Sequence, residues 1–112
     1  MGDDMDRSQA EPRVEASYEG AEATVTVEGE LDQSAAERFV ACILEALDTK
    51  PRSVTVDAHA VTFTDSTGLS ALLRAHGLAF VDQVVFRIRD PSPRLRQLVE
   101  VSGTKDLLLP DD

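Results

Sequence analysis

The apolar side chains of this chain change period repeatedly, and that alternation restricts the fold more than any other property of the sequence. Val14-Glu15-Ala16-Ser17-Tyr18 and Thr24-Val25-Thr26-Val27-Glu28 alternate apolar and polar residues, the two-residue period of half-buried strands. Gly20-Ala21-Glu22 makes the turn between them, so the pair reads as a hairpin. Gly29-Glu30-Leu31-Asp32 breaks the alternation, and from Ser34 the period becomes helical. Ala36, Phe39, Val40, Ile43, Leu44 and Leu47 fall on one helix face, with Asp32 or Ser34 as cap and Pro51 as stop. Cys42 lies off the centre of that stripe and has nothing basic near it in sequence to activate a thiolate.

The switch recurs twice. Ser53-Val54-Thr55-Val56-Asp57 is a third strand, and Val61 and Phe63 continue an extended path. A second helix begins near Ser66, carrying Leu69, Leu72, Leu73, His76 and Phe80, with Gly77 expected to shorten it. Val84 to Ile88 is a fourth strand whose apolar run suggests burial on both faces. Ser92 with Pro93 opens a third helix with Leu95, Leu98 and Val99 inside and Gly103 at its end. Leu107-Leu108-Leu109 reads as a last short strand. The order β-β-α-β-α-β-α-β implies an α/β domain. Its mixed sheet of about five strands carries parallel pairing through right-handed crossovers and one antiparallel hairpin. Functional loops then gather at the carboxyl ends of the strands, here 29–33 and 64–68.

At 112 residues the chain fits one domain. Its charge is uneven: residues 1–32 hold ten acids and two bases, residues 33–112 eleven acids and nine bases. Residues 1–12 are nearly free of aliphatic side chains and read as a flexible acidic tail, with 13–112 as the domain and Pro110-Asp111-Asp112 as a frayed end. A net charge of -10 argues against direct nucleic-acid binding, which needs clustered Lys and Arg. One cysteine excludes an intrachain disulfide and a Cys-rich zinc site. No window of about twenty apolar residues exists, so no membrane insertion is expected. The acidic N-terminus has neither a signal-peptide core nor a myristoylation pattern, and the expected location is the cytoplasm.

Thr64-Asp65-Ser66-Thr67-Gly68 joins an extended run to a helix, which puts Ser66 at the cap or first turn. Free amides and the positive dipole end favour negative charge there. A phosphate on Ser66 would be tolerated by the fold, and its charge of roughly -1.5 to -2 would be felt by whatever docks on the loop. Taken alone, such a pentapeptide before a helix is more often only a cap and a turn. Catalytic readings fit worse. An aspartic protease needs Asp-Thr-Gly or Asp-Ser-Gly without the intervening residue, and Gly-x-Ser-x-Gly is absent. His76 lies about 15 Å along the helix from Ser66. His59 belongs to the strand-to-loop region as an exposed residue, and neither histidine has an obvious orienting carboxylate in sequence.

The stretch Ser53 to Ala75, SVTVDAHAVTFTDSTGLSALLRA, resembles the signature of STAS domains, in particular the bacterial anti-sigma factor antagonists. Asp65-Ser66-Thr67-Gly68-Leu69 is similar to the family's Asp-Ser-Ser/Thr-Gly-Leu. Gly29-Glu30-Leu31-Asp32, Ser92-Pro93 and Val101-Ser102-Gly103 match further motifs in order and spacing, over roughly residues 14–109. The resemblance implies a small sheet with helices on one side and a protein that is no enzyme and uses no cofactor or metal. It implies an unphosphorylated form that binds an anti-sigma factor with serine kinase activity and so releases a sigma factor. Phosphorylation of Ser66 breaks that complex and a serine phosphatase resets it. It maps Asp32, Asp65, Ser66, Thr67, Gly68 and Leu69 to the partner-facing surface of a monomer or weak dimer. Ser70, where the family often has Gly, and His59, in place of a small or apolar residue, depart from the pattern. The same resemblance allows an accessory subunit of a lipid ABC transporter or a stressosome-like scaffold.

Overall fold

The computed structural model describes residues 12–110, so all of the acidic tail except Pro12, and Asp111 and Asp112, lie outside the described residues. Strands β1 (Arg13–Glu19) and β2 (Glu22–Leu31) form the expected hairpin around Gly20, whose φ of +61° suits a tight turn. Helix α1 (Gln33–Asp48), strand β3 (Ser53–Thr64), helix α2 (Ser66–Val81), strand β4 (Val85–Arg89) and helices α3 (Pro93–Ser102) and α4 (Lys105–Leu108) follow. The sheet order is β1-β2-β3-β4, antiparallel between β1 and β2 and parallel in the other two pairs.

One face of the sheet builds the core. Ala23, Val25 and Val27 of β2 and Val54, Val56 and Ala58 of β3 are buried there. Ala36, Phe39, Ile43 and Leu47 of α1 and Leu72, Ala75 and Ala79 of α2 close over them. The other face carries Thr24, Thr26 and Thr55 half-buried and Glu15, Ser17 and Arg87 exposed, so the helices do pack on one side.

Five local expectations change. β3 is a single strand of 12 residues, because two register shifts against β2 absorb two extra residues. The shifts carry the buried positions from Ala58 to Val61, which breaks the simple alternation that the sequence displays. β2 likewise runs on to Leu31, with Gly29 at φ +88° beside the second shift. β4 is an edge strand with Phe86 and Ile88 half-buried and Val85, Arg87 and Arg89 exposed, so its apolar run is not covered on both faces. Leu107-Leu108-Leu109 is no strand: Lys105–Leu108 forms a helical turn after the left-handed Gly103, and Leu108 and Leu109 are both buried. Burial of two neighbours cannot come from a strand packed on one face, which is why the sheet has four strands. Gly77 does not shorten α2, which continues to Val81.

Candidate functional site

The register of the sheet assembles the site. Leu31 at the end of β2 pairs with Thr64 at the end of β3, so Asp32 and Asp65 leave the sheet side by side. Each has an extended backbone and caps the helix that follows. Asp32 Oδ1 accepts from the Ala35 amide at 3.0 Å. Asp65 Oδ1 accepts from the Thr67 amide at 3.0 Å and the Gly68 amide at 3.3 Å. Two of the amides freed at the start of α2 are thereby satisfied by one carboxylate. Asp65→Ala is expected to lower stability by about 1–2 kcal/mol, and Asp65→Asn by much less, in urea unfolding. Equal losses for both would mean that the cap contributes through charge alone.

Ser66 and Thr67 are exposed in the first turn of α2, while Gly68 is buried and Leu69 is half-buried against the core. Gly68 sits where no side chain fits. A Cβ there would stand 2.3 Å from Thr64 Oγ1 and 2.8 Å from the Leu31 carbonyl oxygen. Thr64 Oγ1 is itself buried with no hydrogen-bond partner. Close approach to the end of β2 therefore explains this glycine. Ser66 has no such duty, because the acceptor comes from Asp65 and the contact from Gly68.

The six residues singled out from the sequence thus share one end of the molecule. The structure adds a groove of about 360 Å³ between α1 and α2, beside Ser66. Gln33, Glu37 and Val40 line one wall and Thr67, Ser70 and Arg74 the other. Gln33 and Thr67 fall in the loops that the sequence singles out and Ser70 is a departure from the family pattern, while Glu37, Val40 and Arg74 were not placed at the site from the sequence. Their signal was a second stripe on each helix, 33-37-40 and 67-70-74, running beside the core stripe. Phe63, 39% exposed, adds apolar surface at the end of β3.

Neither histidine stands at the head of α2 beside Ser66. His59 lies in the middle of β3, five residues and about 15 Å from the strand end. It does have an orienting carboxylate: Asp57, two residues earlier, lies on the same face of β3 by ordinary strand alternation, a pairing the sequence reading overlooked. His59 Nδ1 donates to Asp57 Oδ1 at 2.7 Å, and Arg89 Nη2 donates to Asp57 Oδ2 at 3.1 Å. His76 is half-buried, its ring edge-on to Phe86 at 5.9 Å. Among the described residues, no group of three or more His, Cys, Asp or Glu side chains is placed to hold a metal, and no helix is long and apolar enough to cross a membrane. Burial pushes the half-buried Cys42 thiol up, with Glu45 adding to it, so the thiol stays protonated at neutral pH.

The Asp57–His59 pair carries its own test. Its hydrogen bond to Asp57 holds the His59 pKa above the ordinary 6.5. Partial burial pushes Asp57 up, but the bonds from His59 and Arg89 outweigh it and leave Asp57 below 3.8. The stabilisation from His59 is full below pH 6.5 and is lost as pH rises through its raised pKa. That from Asp57 is present above pH 3.8 and is lost as pH falls through its lowered pKa. The His59 ring is expected to titrate above 6.5 by NMR, and Asp57→Asn to bring the midpoint down. An unmoved midpoint would sink the pairing.

Comparison with known proteins places this arrangement. The family model described as "Mlab, STAS domain" matches residues 14–110. An anti-sigma factor antagonist from Mycobacterium paratuberculosis is 20% identical with a TM-score of 0.75, covering 89% of this chain and 85% of that one. The unphosphorylated form of the anti-sigma factor antagonist SpoIIAA is 21% identical with a TM-score of 0.72, covering 88% and 86%. The phosphorylated form of the Bacillus cell fate determinant SpoIIAA is 21% identical with a TM-score of 0.68, covering 88% and 89%. At such identities the likeness is one of fold. No curated protein matches the chain.

Proposed function

The chain belongs to the STAS domain family, and from that premise we propose that it is an anti-sigma factor antagonist switched off by phosphorylation of Ser66. One observation carries the reading. Ser66 is an exposed hydroxyl at the head of α2 that the fold does not use, flanked by a cap and a glycine that the fold requires. A residue so placed can change charge without unfolding the domain.

In this reading the unphosphorylated surface of Asp32, Asp65, Ser66, Thr67, Gly68 and Leu69 docks on an anti-sigma factor that is also a serine kinase. The groove between α1 and α2 and the exposed Phe63 extend that surface. The kinase transfers the γ-phosphoryl group of ATP to Ser66 Oγ. The Oγ–P bond forms, ADP leaves, and the hydroxyl proton passes to the kinase or to water. A phosphatase directs water at phosphorus and returns the free hydroxyl with inorganic phosphate. The helix dipole eases the new charge within this chain, so the loss falls on the partner contact. ATP as phosphoryl donor places the exchange in the cytoplasm.

The test is a paired affinity capture from the native host with Ser66→Ala and Ser66→Asp as baits, and bound proteins identified by mass. The expected result is a small ATP-binding serine kinase held by the alanine form and lost by the aspartate form. A transporter-type ATPase on both baits would overturn this reading in favour of a transporter accessory subunit. Ser66→Ala is also expected to change stability by no more than about 0.5 kcal/mol while abolishing phosphate uptake by the kinase. Uptake that persists would move the acceptor elsewhere.

A further inference from the structure

Strand β1 closes one side of the sheet, and its outer edge is complementary to itself. In a hairpin with a two-residue loop, the residues that flank the loop form a hydrogen-bonded pair. Those residues are Glu19 and Glu22, so in the observed register Arg13, Glu15, Ser17 and Glu19 turn their peptide groups toward β2. Val14, Ala16 and Tyr18 therefore turn theirs outward.

The geometry points to antiparallel pairing of this edge with β1 of a second copy of the chain, Ala16 opposite Ala16. Val14 then bonds Tyr18 of the partner subunit and Tyr18 bonds Val14 of the partner subunit, so every outward peptide group of the strand is used. The same register sets Arg13 against Glu19 of the partner subunit and Glu15 against Ser17 of the partner subunit.

Charge selects that register over its neighbours. A slide of one residue opposes outward groups to inward ones and breaks the ladder. A slide of two either opposes Glu15 to Glu15 of the partner subunit or opposes Glu15 to Glu19 of the partner subunit. Larger slides leave about three residues paired. The other free edge rejects self-pairing, because centring β4 on itself sets Arg87 against its own copy. Tyr18, 50% exposed at present, would lie across from Val14 of the partner subunit.

A seven-residue edge is smaller than the roughly 1,600 Å² of a standard interface, so association is weak and concentration-dependent. The two-fold axis stands perpendicular to the sheet and directs the two Ser66 ends oppositely, which leaves both open. The inference rests on β1 alone and does not depend on the proposed switch.

Sedimentation velocity of the full chain between about 1 μM and 1 mM is the test, a span that covers weak pairing. The expected result is a concentration-dependent shift from monomer to dimer, with slower amide exchange at Val14, Ala16 and Tyr18 in concentrated samples. Glu19→Arg and Arg13→Glu are each expected to weaken association about tenfold by placing like charges opposite. The double variant Arg13→Glu/Glu19→Arg should restore it. Arg13 lies 2.5 Å from Glu15 and 3.5 Å from Glu28 within the chain, and those ties are lost in Arg13→Glu and in the double variant alike. Rescue can therefore come only from the contact between copies. A chain monomeric throughout, single variants that associate as wild type, or a double variant no better than the singles would each overturn the pairing.

Discussion

Gly68→Ala is expected to destabilise the domain by about 2–3 kcal/mol, the range for forcing an extra methyl into a packed site. Helix propensity alone argues the reverse, since alanine is favoured over glycine inside a helix by about 0.8–1 kcal/mol. Packing decides the sign. The added methyl would stand 2.3 Å from Thr64 Oγ1, 2.8 Å from the Leu31 carbonyl oxygen and 3.0 Å from Leu31 Cγ. The threonine side chain can turn away, but the carbonyl belongs to a strand locked into the sheet at Leu31–Thr64. Thr64→Ala is therefore expected to recover only part of the loss. Gly77 supplies the control. It lies on an exposed part of the same helix with nothing within 4 Å of a Cβ. Gly77→Ala should follow propensity and stabilise by about 0.5–1 kcal/mol. Urea midpoints of Gly68→Ala, of Gly68→Ala combined with Thr64→Ala, and of Gly77→Ala test the argument. A Gly68→Ala protein as stable as wild type would mean that α2 does not start against the end of β2.

That pair of glycines also marks what could be read from the chain and what could not. The caps were legible, because Asp65 before Ser66-Thr67-Gly68 and Ser92 before Pro93 are local chemistry. Ser92 Oγ accepts from the Leu95 amide at 3.2 Å as expected, whereas the cap of α2 is Asp65, which accepts from two amides, and Ser66 takes the first turn. The sides of the sheet were legible in β2, where Ala23, Val25 and Val27 alternate without interruption. They were not legible in β3, where the added residues move burial from even to odd positions. An inserted residue has no composition of its own; it exists only against the partner strand. The groove beside Ser66 was hidden for a related reason. Each of its walls looks like an ordinary solvated helix face until α1 and α2 are set next to each other. Leu107-Leu108-Leu109 failed differently, since a three-residue apolar run has no period to measure.

Phosphorylation of Ser66, or its imitation by Ser66→Asp, is expected to weaken capture of the kinase partner by about 100-fold, whereas Ser66→Ala leaves it within about threefold. The asymmetry follows from where the charge lands. Within this chain the new anion meets the head of α2, whose dipole favours negative charge by about 0.3–1 kcal/mol. Folding is therefore expected to change little, and the two variants should unfold at similar urea concentrations. At a docked interface the same anion must lose water without a matched cation. Burying an unpaired charge there costs about 2–5 kcal/mol, larger than the dipole can offset. Asp32 and Asp65, which leave the sheet side by side, add repulsion of the same sign. Because screening by salt is weak for a desolvated charge, the loss should persist at high ionic strength. Titration of the captured kinase with each variant, at low and at high salt, separates the possibilities. A Ser66→Asp protein that recovers affinity in high salt would place Ser66 at the solvated rim of the contact. One that binds as well as wild type under both conditions would leave Ser66 outside the interface, and the switch would have to lie in another residue.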